Sequence, residues 1–373
     1  MDIKRNILLN PGPATTSDSV KFAQVVPDIC PRENDFGTVM EFISLELTNL
    51  VASSGKCTTV LFGGSGTAAV ESILSSVVDN GAILIINNGA YGKRMCEIAE
   101  IYKLNYIEFK SSPIDGIDLN ELENKIRSYN INEKQYGITH VAVIHHETTT
   151  GILNDIKGVG KICRKYNIDM IVDAMSSFAG IPINMEEMNI KYLASSSNKC
   201  IQGMAGVSFV IANIEALEKT KSIKSRNLYL NLYKQYSYFK DNYQMRFTPP
   251  VQVLYALKQA IIEAKEETIE KRYKRYKSCC KILWDGLDRL KLKRLVKDEN
   301  ASMLLTSIIE PNISGYSFEE LHDYLYERGF TIYPGKICST NTFRIANIGE
   351  IYPEEIKNFI EILREYFHEI AKH

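Results

Sequence analysis

Excess charge of either sign is missing from this chain. Lysine and arginine number 44 against 45 acidic residues, a net charge of −1 over 373 residues. Such a surface offers no field for nucleic acid or an anionic membrane and points to a small-molecule partner. Paired cysteine motifs are missing too. Eight cysteines stand at 30, 57, 96, 163, 200, 279, 280 and 338, with no CxxC and no zinc-like Cys/His spacing. They read as the reduced thiols of a cytosol, without disulfides. No apolar run approaches the roughly 18 residues of a membrane span, and the opening MDIKRNILLNPGP lacks the long apolar segment of a signal peptide. The expectation is a soluble, cytoplasmic protein. Neither an internal repeat nor a low-complexity linker interrupts the chain.

The chain has room for two apolar cores, since single domains commonly hold about 100 to 200 residues. From about residue 58 to 212, short apolar runs alternate with helix-length segments: TTVLFGG, AILIINN, NYIEFK, HVAVIHHE, DMIVDAM, YLASSS and VSFVIA. Seven near-continuous apolar strands joined in this way imply an α/β domain whose mostly parallel sheet is covered by helices on both faces. Val70, Ile73, Leu74 and Val77 fall at i, i+3, i+4 and i+7, one apolar stripe of a helix. After about residue 255 comes one long charged helix, KEETIEKRYKRYK, whose charges read as a solvated face. Strand-like SMLLTSII, FTIYP and TFRIANIG then mix with helices at about 317–328 and 353–369, a small α+β domain. The division expected is 15–255 for the large domain and 256–373 for the small one, with segment 1–14 packed on the latter.

Ligands of open α/β sheets bind beyond the carboxyl ends of the strands, and both Asp173 of IDMIVDAM and Lys199 of YLASSSNKCIQG end such strands. A buried lysine loses proton affinity by desolvation and becomes a neutral amine able to attack an aldehyde. Pyridoxal phosphate is the cofactor that most often uses this chemistry, and it wants an acidic partner for its pyridine nitrogen, which Asp173 can supply. Taken alone, a strand-end lysine or aspartate is more often structural or solvated.

A third element, FGGSGTAAVES, is a glycine-rich turn from strand to helix. Its helix-start N–H groups and the hydroxyls of Ser65 and Thr67 can bind a phosphate. It is neither a GxGxxG fingerprint nor a P-loop, and a purely structural turn reads equally well. NNGAYG, HHETTTG and RFTPP add Tyr91, Thr148, Thr149 and Thr248 as stacking and hydrogen-bonding groups. The tandem His145 and His146 do not make a metal site, since neighbours on a strand point to opposite faces.

With these residues in place, the sequence resembles the class V aminotransferases of the fold-type-I pyridoxal phosphate enzymes. Within that class it is most similar to the branch acting on 2-aminoethylphosphonate and pyruvate. The likeness runs nearly end to end, through LLNPGPATTSDSVK, GSGTAAVES, NGAYGKR, THVAVIHHETTTGILN, IVDAMSSFAGIPI, SSSNKCIQG, RFTPP, GFTIYPGK and TFRIANIGE. The resemblance implies Lys199 as the Schiff-base lysine and Asp173 as the pyridinium partner. It implies Ser65, Gly66 and Thr67 on the cofactor phosphate, Tyr91 on the ring face, Thr149 near the ring hydroxyl, and Arg344 on the substrate anion. It further implies a homodimer with shared active sites, in which Thr248 reaches the other subunit's phosphate. Two positions depart from the usual pattern near the entrance: Pro31 replaces a small polar residue, and Met245 stands where relatives often have an aromatic.

The activity implied is transfer of the amino group of 2-aminoethylphosphonate to pyruvate, giving phosphonoacetaldehyde and L-alanine. An alanine:glyoxylate or serine:pyruvate aminotransferase would share the cofactor residues and differ in the substrate pocket. A nucleotide-binding regulatory module rests on the glycine-rich turn alone.

Overall fold

The computed structural model describes residues 3–132, 137–337 and 340–372. Seven strands form one sheet: β1 (Cys57–Gly63), β2 (Ala82–Asn87), β3 (Tyr106–Lys110), β4 (Ile138–Ile144), β5 (Asp169–Asp173), β6 (Ile190–Ser196) and β7 (Val207–Asn213). Their order is β1-β7-β6-β5-β4-β2-β3. Every pairing is parallel except those of β7, which runs antiparallel between β1 and β6. The period-two alternation divides the apolar residues between two cores. Ala82, Leu84 and Ile86 of β2 enter one core, with α1 (Asn34–Asn49), while Ile83 and Ile85 enter the other, with α2 (Gly66–Val77) and α3 (Ala90–Ile101). The stripe Val70, Ile73, Leu74 and Val77 lies buried on α2, as its spacing requires. The large mostly parallel sheet between helices is the α/β architecture that the apolar runs imply.

One expected helix proves to be two. The backbone of Thr268 takes a φ of 65°, which ends α4 (Val251–Glu267) and starts α5 (Ile269–Arg289). The Thr268 side chain caps the new helix by accepting from the Lys271 N–H. Nor is the charge run uniformly solvated: Lys271 and Lys274 are exposed, but Arg272 is 1% exposed. The boundary expected at 255/256 falls inside α4. Leu257, Ile261 and Ala264 still pack in the sheet core, and Ile269, just past the break, packs against it.

A further core gathers Leu283 and Leu287 of α5, Ile308 of β8 (Leu305–Ile309), and Phe343 and Ile345 of β10 (Thr340–Ala346). Strand β9 (Tyr333–Ile337) completes an antiparallel sheet in the order β8-β10-β9. Helices α6 (Phe318–Glu327) and α7 (Pro353–Ile370) cover it with Leu321, Leu325, Phe359 and Leu363. Pro353 opens α7, and Glu355 accepts the Tyr352 N–H at 2.9 Å. Ile7–Leu8 pairs in parallel with Phe330–Thr331, and Leu9 is buried in the same core. The N-terminal segment then crosses to the large sheet, where the Ala14 N–H donates to the Asn198 carbonyl at 2.9 Å.

Candidate active site

The parallel strands β1, β2, β5 and β6 end at one edge of the sheet, and a cleft of about 520 Å³ lies there. Strand β1 delivers Ser65, Gly66 and Thr67, the last two forming the first turn of α2; Ser65 stands just before it in extended conformation. Unpaired N–H groups at such a start, with the helix dipole behind them, favour an anion. Tyr91 stands in the first turn of α3, and one turn on the Arg94 guanidinium lies 5.0 Å from its ring centre. Arg94 reaches within 3.5 Å of the Thr67 hydroxyl, bringing a positive charge to the anion cup. Asp173, last residue of β5, and Lys199, three residues past β6, close the far wall.

Burial dominates the electrostatics. Asp173 is 7% exposed, and loss of water pushes its carboxyl up to about 6, against the Met175 N–H that it accepts at 2.8 Å. Burial likewise lowers the proton affinity of the Lys199 amine, and Arg344 acts in the same direction. That amine donates to the Pro11 carbonyl at 2.8 Å. Gly12 lines the contact: its φ of 143° disfavours other residues, and a Cβ there would sit 3.1 Å from the amine.

Arg344 on β10 is held over the Tyr333 ring at 4.9 Å, its guanidinium donating to the Pro334 carbonyl at 2.7 Å and the Thr148 carbonyl at 3.1 Å. Thr149 follows in the same turn. Thr248 is exposed and is not among the residues lining this chain's cleft, and Met245 is buried in the sheet core. The two histidines have separate partners: His145 meets the Ser177 hydroxyl, while His146 bridges the Ser176 carbonyl and the Ser302 hydroxyl. The seven described cysteines are free; Cys338 lies outside the described residues.

A sequence profile described as aminotransferase class-V matches residues 33–353. The chain belongs to the class-V aminotransferases. A 2-aminoethylphosphonate–pyruvate transaminase of Bacillus cereus is 40% identical over 365 residues, 97% of this aminotransferase and 98% of that one. A bifunctional phosphonoacetaldehyde hydrolase/aminoethylphosphonate transaminase of Clostridioides difficile is 40% identical over 364 residues, but this chain spans only 56% of its length. Among solved structures, the alanine–glyoxylate aminotransferase of Nostoc sp. superposes with a TM-score of 0.89 at 24% identity, over 98% of this chain and 96% of that one. At that identity the likeness speaks for the fold alone.

Sequence reasoning passed over two charged groups at or beside this cleft, Glu147 and Arg94. Glu147, fully buried beside the cleft wall, accepts the backbone N–H groups of Tyr91 at 3.1 Å and Thr149 at 2.9 Å, and the Thr149 hydroxyl. The signal was present in HHETTTG, a carboxylate between an apolar strand and a threonine turn. Arg94 was equally visible in NNGAYGKR, as a cation one helical turn beyond Tyr91.

Proposed function

We propose that this aminotransferase binds pyridoxal phosphate in the cleft and moves the amino group of 2-aminoethylphosphonate to pyruvate, giving phosphonoacetaldehyde and L-alanine. The observation that carries the cofactor is the pair at the strand ends: a desolvated amine at Lys199 and a buried carboxyl at Asp173, opposite an anion cup at Ser65–Thr67. Beyond the Met175 N–H, the buried Asp173 carboxyl would be stabilised as an anion by a cationic neighbour such as a protonated pyridine. When bound, the cofactor contributes an aldehyde that links reversibly to an amine and a ring that accepts electrons. The chain does the rest. Lys199, lowered in proton affinity, serves as nucleophile and then as the base that carries the proton of the substrate's aminomethylene carbon. Arg344 grips the phosphonate of one substrate and the carboxylate of the other.

An alanine:glyoxylate or serine:pyruvate reaction would use the same cofactor residues, but the relatives near 40% identity carry aminoethylphosphonate names. Purified protein should form L-alanine from 2-aminoethylphosphonate and pyruvate at a rate well above that with serine or with alanine and glyoxylate. A preference for serine would reverse the substrate assignment. We also propose a cytoplasmic homodimer in which Thr248 serves the partner's phosphate cup, a role that suits its exposure. If so, two inactive chains, Lys199→Ala and Thr248→Ala, regain activity on mixing; a nearly normal Thr248→Ala chain would rule this out.

A further inference from the structure

Two turns far apart in sequence end on one tyrosine. Tyr276 of α5 is 0% exposed, and its ring packs with Ala14 of the N-terminal segment, Cys200 of the Lys199 turn, and Ala346 and Ile348 at and beyond the end of β10. Its hydroxyl accepts the Gln202 side-chain amide at 2.8 Å and the Gly349 N–H at 3.1 Å, which uses both lone pairs. Gln202 closes the turn after Lys199: with a φ of 66°, its N–H donates to the Lys199 carbonyl at 2.8 Å. Gly349 lies in the turn after β10, whose Asn347 side chain donates to the Tyr276 carbonyl at 2.9 Å. That turn pins the N-terminal segment, because Gly349 bridges to Thr15 and the Glu350 N–H donates to the Thr15 carbonyl at 2.9 Å. Earlier in the same segment stands Pro11, whose carbonyl accepts the Lys199 amine.

We propose that Tyr276 is a positioning residue for the reacting amine: its hydroxyl joins the turn that carries Lys199 to the turn that pins the N-terminal segment, and so sets where the amine meets Pro11. This rests on the reading of Lys199 as the amine that reacts. The link is complete within the chain. A phenylalanine at this position would leave two buried donors without an acceptor, a state that a folded protein relieves by admitting water or shifting a turn. Either relief opens the seat of Lys199, and water beside the amine restores proton affinity that burial had removed. The charged or titratable groups facing that amine are Asp173 at the end of β5, His146 and Glu147 beyond β4, Cys200, and Arg344 on β10. Those facing the Tyr276 ring are Cys200, and Arg272 and Arg275 of its own helix.

The test is competitive acetylation of the full-length protein freed of cofactor, with acetic anhydride at a series of pH values and Lys199 followed by peptide mass. Tyr276→Phe should raise the midpoint at which Lys199 becomes reactive by roughly one pH unit. Gln202→Gly, which deletes the amide and suits the positive φ, should raise it similarly, and the two together little further, because they break one link. Thr306→Val is the control: it strips the Trp284 indole, on the same helix, of its partner at 2.8 Å, and should lower the melting temperature but leave the midpoint in place. A folded Tyr276→Phe protein with the wild-type midpoint, shifts that add in the double variant, or an equal shift in Thr306→Val overturns the proposal. Should Tyr276→Phe fail to fold, Gln202→Gly decides alone, and an unmoved midpoint refutes the link. A wild-type Lys199 that titrates like the exposed lysines would refute the reading of the amine, and the proposal with it.

Discussion

The guanidinium of Arg272 meets Cys200, the residue after Lys199, yet the chain treats the charges of Arg272 and Lys199 in opposite ways. Arg272 is paired with Glu267 at 2.6 Å and donates to the Cys200 carbonyl at 2.9 Å, while Arg275 holds the same carboxylate at 2.7 Å and the Ile351 carbonyl. Each charge there has an opposite charge in contact, and Glu267 is held below its ordinary proton affinity. In the cleft, Lys199, Asp173 and Glu147 are buried without an ion pair among them, and all three are pushed toward neutrality. Buried pairs that satisfy each other fix geometry; buried charges left apart keep free energy in reserve for a ligand.

The sharpest test of that contrast is Lys199→Ala. It should abolish steady-state transamination yet retain noncovalent cofactor binding, because the phosphate cup and Asp173 do not depend on the amine. Borohydride reduction that places the pyridoxyl group on another lysine would break the assignment. Glu267→Ala probes the paired cluster: it strands two guanidinium groups, one almost wholly buried, and should cost about 3 kcal/mol in denaturant melts. A loss within the error of the melts would mean that water takes over the pairing.

Asp173→Asn should act in the reverse sense on stability. The Asp173 carboxyl lies at about 6 when folded against an ordinary 3.8, so folding takes up a proton between those values. Its contribution is full below about pH 4 and is lost as pH rises through about 6. In protein stripped of cofactor, Asp173→Asn should therefore gain up to about 3 kcal/mol at neutral pH and much less near pH 4. A gain independent of pH would place the strain elsewhere. The smallest effect is expected of Arg344→Lys, which keeps the charge but loses the planar fork. A charged hydrogen bond contributes about 1.5 to 3 kcal/mol, so kcat/KM for both substrates should fall by about 10- to 100-fold with cofactor retained.

Much of this could be read before any coordinates. All seven strands of the large sheet follow from their apolar runs, and Asp173 and Lys199 from their positions at strand ends. The antiparallel course of β7 could not be read, because VSFVIA is buried on both faces like the other strands of the sheet and carries no mark of direction. The break at Thr268 escaped because helix-forming residues flank it on both sides. Arg272 looked solvated because its partner Glu267 lies across that break, where helical spacing does not apply. Glu147 was passed over because its signal, a carboxylate placed between an apolar strand and a threonine turn, gives its position but not its burial.

The N-terminal segment also carries a consequence for the order of events during synthesis. Ile7 and Leu8 leave the ribosome before every strand of the large sheet, but Phe330 and Thr331, with which they pair, emerge after all of them. Until then the stretch through Pro11 and Gly12, which meets the Lys199 amine, is tied down on one side only, where the Ala14 N–H meets the Asn198 carbonyl. The large sheet can form its strands as they appear, whereas the reactive amine is enclosed only when that late pairing is complete. A nascent chain arrested before residue 330 would thus display an assembled sheet whose N-terminal segment is held beside Lys199 from one side.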